Sequence, residues 1–157
     1  MHVFDISTKT WFAQITTAEN GIFPTDRIGF CSVVASAEDN SSQNIYIYGG
    51  WDQNIVKDDI FILTLPLFHW VSVFPSVNDT SGLDIRQTHS HQCQKVHEKH
   101  MVAYRGRSSR CDSDRELQKY HGMAIYDMSS LTWVTKVEVG NQKYKIPEAL
   151  YGIIGGK

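Results

Sequence analysis

Residues 27–74 read RIGFCSVVASAEDNSSQNIYIYGGWDQNIVKDDIFILTLPLFHWVSVF. Its apolar runs alternate with polar residues at a period of two and are rich in Ile, Val, Tyr, Phe and Trp, the side chains that pack well on a pleated, half-buried surface. Between the runs lie SAEDNSSQN and GGWDQNIVKDD, whose Gly, Asn, Asp and Ser set turns. Four strands are predicted, at residues 29–35, 45–49, 59–65 and 70–74. Helical spacing is absent, and no long helix is expected.

The same pattern recurs on both sides. Trp11, Trp70 and Trp133 close the segments HVFDISTKTW, IFILTLPLFHW and MAIYDMSSLTW, at intervals of 59 and 63 residues. Six residues before each stand Asp5, Thr64 and Asp127. Arg27 before GFCSVVA is answered by Arg86 before THSHQCQKV, and IYIYGG, ending in Gly49 and Gly50, by MVAYRG, ending in Gly106. A second set of strands follows, at roughly residues 88–96, 100–105, 121–128 and 133–138.

An Arg-led strand, a strand ending in Gly-Gly, an Asp-led strand with a turn, and a Trp opening the fourth strand together resemble the kelch repeat. The resemblance implies an all-β fold: a partial kelch β-propeller with two full four-stranded blades and parts of two flanking ones. Residues 1–26 would hold the last strands of a preceding blade, 27–85 a complete blade, 86–146 an irregular blade with a long loop, and 147–157 the start of another blade or a linker. The Gly-Gly pair suits close backbone packing or positive φ, and each Trp would wedge between neighbouring blades. In the second repeat the diglycine has become Arg105-Gly106. Closed propellers use four to eight blades, so a truncated or partial product is expected, with Met1 an internal methionine of a longer parent.

The strings RIGFCSVVASAEDNSSQNIYIYGG and DDIFILTLPLFHWVSVF are similar to the fungal kelch proteins whose propeller is extracellular and membrane-anchored. That likeness implies a protein- or glycan-binding scaffold with no catalytic residues, cofactor or metal. It would sit at the outer face of the plasma membrane or in the cell wall. Any membrane contact would run through a segment this chain lacks. An oxidase resembling galactose oxidase, with copper held by Tyr and His, and an intracellular kelch adaptor are the alternatives.

Composition constrains the partners. Fifteen basic against 17 acidic residues leave a net charge of −2, which gives no field to gather nucleic acid or an anionic membrane surface. Three cysteines are present. Cys93 and Cys111 flank a strand and the loop after it, so a bridge between them would pin an insertion onto its own blade and contribute about 3 kcal/mol. Two reduced thiols are the alternative. Cys31 is read as core packing. Sequons at Asn40 and Asn78 fall in polar stretches and favour a secretory route. The cluster His89, His91, Cys93, His97 and His100 would place His89, His91 and Cys93 on one strand face. Polar or hydrogen-bonded histidines near the propeller channel are preferred there over a structural metal. Asp58-Asp59 marks a strand start after a turn, because adjacent strand residues face opposite ways.

Overall fold

The computed structural model describes residues 1–74, 88–104, 106–108, 123–137, 140 and 142–154. The first strands, β1 (His2–Asp5) and β2 (Thr10–Ala13), form an antiparallel hairpin. A two-residue strand, β3 (Thr17–Ala18), then runs parallel to the outer strand of the next sheet. That sheet is an antiparallel meander of β4 (Cys31–Ser36), β5 (Gln43–Trp51), β6 (Val56–Leu65) and β7 (His69–Phe74). A short β8 (Thr88–His89) pairs with β11 (Arg107–Ser108). The second meander consists of β9 (Gln92–Val96), β10 (His100–Tyr104), β12 (Met123–Asp127) and β13 (Thr132–Val134). A seven-residue helix, α1 (Glu148–Ile154), follows.

Two successive four-stranded meanders stack on each other, the arrangement of adjacent blades in a partial β-propeller. In β4 alternation is strict, with Cys31, Val33 and Ala35 buried and Ser32 and Val34 exposed. The inner strands β5 and β6 are covered on both faces, so Tyr46 to Tyr48 and Ile60 to Leu63 form continuous buried runs. One core joins both sheets: Val33, Tyr48, Ile60, Ile62 and Val71 of the first meet Met101, Ala103, Tyr126 and Trp133 of the second. Buried side chains of this kind each contribute about 1.5–3 kcal/mol.

The Gly49-Gly50 pair breaks the β5–β6 register, and both residues have positive φ, at 65° and 102°. A Cβ on Gly50 would lie 3.0 Å from the Ile28 carbonyl oxygen and 3.1 Å from the Phe30 Cβ. The bare backbone lets residues 28–30 close against Trp51, where Ile28 and Trp51 exchange two backbone hydrogen bonds of 2.9 Å. Arg27 locks the bulge. Its guanidinium holds the Asp59 carboxylate with both terminal nitrogens, donates to the Gly49 carbonyl at 3.2 Å, and lies over the Phe61 ring.

The turn before each Trp is also repeated. Asp5 accepts from the Ser7 and Thr8 backbone N–H groups, and Asp127 from those of Ser129 and Ser130. Two residues before each Trp, the backbone is left-handed at Lys9 (φ 55°), Phe68 (φ 54°) and Leu131 (φ 57°). Where Thr64 replaces the aspartate, the turn contains a cis Leu65–Pro66 bond.

One expectation is corrected. Residues 88–96 are not one strand, because Ser90 takes a left-handed φ of 55° and donates its N–H to the Gly29 carbonyl at 2.7 Å, splitting β8 from β9. Within residues 147–157, expected to be the start of another blade or a linker, Glu148–Ile154 form α1, whose Leu150 is fully buried in the shared core. Among the described residues no helix is long and apolar enough to cross a membrane.

Candidate functional site

The richest chemistry lies in the seam between the two sheets, where β4 of the first runs beside β9 of the second. Each is the first strand of its meander. Cys31 and Cys93 are joined there by a disulfide, with Cα atoms 5.5 Å apart and a sequence separation of 62. This corrects the expected Cys93–Cys111 pairing: stacking the sheets brings Cys31 onto Cys93, so the bridge staples one blade to the next. Cys111 lies outside the described residues.

His91 packs into the same seam, 5% exposed, with its ring 4.9 Å from that of Tyr48. Neither ring nitrogen meets a side-chain partner, and the Tyr48 main chain is the polar neighbour of the ring. Burial lowers the His91 pKa to about 4, so the imidazole is neutral at neutral pH. One imidazole nitrogen and the sulfurs of Cys31 and Cys93 all lie within 4.8 Å of one another.

The other histidines diverge. His89 sits by Trp51, with ring centroids 6.0 Å apart, and bonds the Ser90 hydroxyl. His97 is exposed at a left-handed position between β9 and β10. His100 is buried, with its Nε2 3.9 Å from Asp127. The expected face shared by His89, His91 and Cys93 is therefore broken at Ser90, and Cys31 takes the place of His89 beside the other two.

The aromatic side of the seam is built by Trp133, which packs on Tyr48 of the first sheet at 5.1 Å and on Tyr126 of its own at 5.0 Å. Trp70 is half-buried and Trp11 exposed. A polar chain closes the other end. The Tyr46 hydroxyl donates to the Met128 carbonyl at 2.8 Å, so the Tyr144 hydroxyl donates to Tyr46 at 2.9 Å and accepts from the Asn44 amide at 3.0 Å. Burial pushes the Tyr144 pKa up to about 12, which keeps this hydroxyl protonated.

The turns that leave β4 and β9 form a surface hollow of about 310 Å³, lined by Glu38, Asn40, Glu98, Lys143 and Tyr144 among others. Glu38 and Lys143 pair across it. Asn40 is exposed, with a left-handed φ of 57°, at the hairpin turn beside the hollow. Gly106 has a φ of 113°, matching its place as the counterpart of Gly50. Asn78, Arg86 and Arg105 lie outside the described residues. Sequence reasoning missed Tyr144 and Lys143, which sit in a polar stretch with no alternation to mark them.

The fold and the seam define an all-β protein of the partial β-propeller class, with consecutive blades joined by aromatic packing and a disulfide. No family model matches the chain. It is similar to a kelch repeat-containing protein of Arthroderma benhamiae, at 28% identity over 183 aligned positions. The alignment takes in 98% of this chain and 25% of the relative, so the chain spans about a quarter of that protein's length. The likeness supports the kelch reading of the repeat.

Proposed function

We propose that the chain forms two blades of a non-enzymatic kelch scaffold that works outside the cell and presents its turn face to a protein or glycan. The carrying observation is the Cys31–Cys93 bridge between blades, since structural disulfides persist in oxidising compartments and are rare in the cytosol. The exposed Asn40 sequon supports the same setting. The hollow beside it offers the carboxylates of Glu38 and Glu98 and the Lys143 ammonium, groups suited to a polar partner. Attachment to a membrane or wall falls to a segment other than these residues.

Secreted expression in a eukaryotic host, followed by mass spectrometry of unreduced peptides, tests the reading. A Cys31–Cys93 linked peptide and a glycan on Asn40 are expected. Three free thiols with unmodified Asn40 and Asn78 would point instead to an intracellular adaptor. Stoichiometric copper in the purified protein would point instead to an oxidase.

A further inference from the structure

We propose that Cys31, Cys93 and His91 are a redox-gated site for a thiophilic d10 cation, Zn(II) or Cu(I): closed as a disulfide when oxidised, and a two-sulfur, one-nitrogen ligand set when reduced. The three donor atoms converge within 4.8 Å, from two strands of different sheets and the segment between β8 and β9. His91 is the second, independent sign. It is a buried imidazole that makes no hydrogen bond to another side chain and has only the Tyr48 main chain as a polar neighbour, which leaves a ring nitrogen available to a cation. Thiolates and imidazole are the donors that select zinc and cuprous ions. Opening the bond lets the sulfurs separate to about 4 Å, the span of two metal–sulfur bonds of about 2.3 Å. The 5.5 Å Cα separation allows this without parting the strands.

The chemistry balances in two steps. A dithiol reductant passes two electrons and two protons to the Cys31–Cys93 bond, giving two thiols while the reductant closes to its own disulfide. The cation then forms two bonds to sulfur and one to an imidazole nitrogen, and both thiol protons leave to solvent.

The test is titration of the full chain with Cd(II), an optical stand-in for Zn(II), after reduction under argon and removal of the reductant. One equivalent should raise a sulfur-to-metal charge-transfer band and protect two of the three cysteines from alkylation. The oxidised protein should show neither effect. His91→Asn, which retains the bridge and can be checked for folding in the oxidised state, should weaken binding roughly tenfold or more, and Cys111→Ser should leave it unchanged. The proposal is overturned if the reduced chain shows no band, if His91→Asn binds as tightly as the parent, or if Cys111→Ser abolishes binding.

Discussion

Trp11 and Trp133 hold the same register position, yet the first is 68% exposed and the second 2%. The difference is the sheet each one faces. Trp133 meets Tyr48 across the seam, whereas among the described residues no second sheet covers the β1–β2 hairpin. Trp133→Ala should therefore cost about 3–5 kcal/mol, and Trp11→Ala under about 0.5 kcal/mol, read from urea midpoints of the full chain. Equal costs would mean that the seam is not where the tryptophan acts. The register of these residues was legible in the sequence, as were Arg27 and the Gly49-Gly50 pair. Their exposure was not, because burial depends on which surface a neighbouring sheet covers.

At the scale of the element, the hairpin between β12 and β13 shows how one carboxylate organises a turn. Burial pushes the Asp127 carboxyl up, but the Lys99 ammonium at 2.8 Å and the N–H groups of Ser129 and Ser130 outweigh it and hold the pKa below its ordinary 3.8. Because the folded value is depressed, this stabilisation is fully present above pH 3.8 and is lost as pH falls through the lower folded value. Asp127→Asn keeps a turn acceptor but loses the charge, and should cost about 2 kcal/mol at neutral pH. Thermal melts across an acid series should show that deficit narrowing towards zero below the ordinary carboxylate range; a constant gap would refute the assignment. The Asp-led turn could be read from its spacing to Trp. The break at Ser90 could not, since it is made by the carbonyl of Gly29 in another blade, and α1 is a short helix held to the core by buried Leu150 with Ile153 and Ile154 packed beside it.

For the whole molecule, the decisive covalent fact is the bond between blades. Three cysteines permit three pairings, and sequence proximity favoured Cys93 with Cys111; only the stacking of β4 on β9 selects Cys31. By closing a loop of 62 residues, the bond should stabilise the chain by about 4 kcal/mol through restriction of the unfolded state. Cys93→Ser, or reduction without added metal, should lower the urea midpoint accordingly, and identical midpoints with and without reductant would show that no such bond forms. The same covalent tie governs how the molecule breaks. A protease that severs the backbone once anywhere from Cys31 to Cys93 leaves both pieces tethered, so the cut protein still migrates as a single species on a gel until a reductant releases the halves.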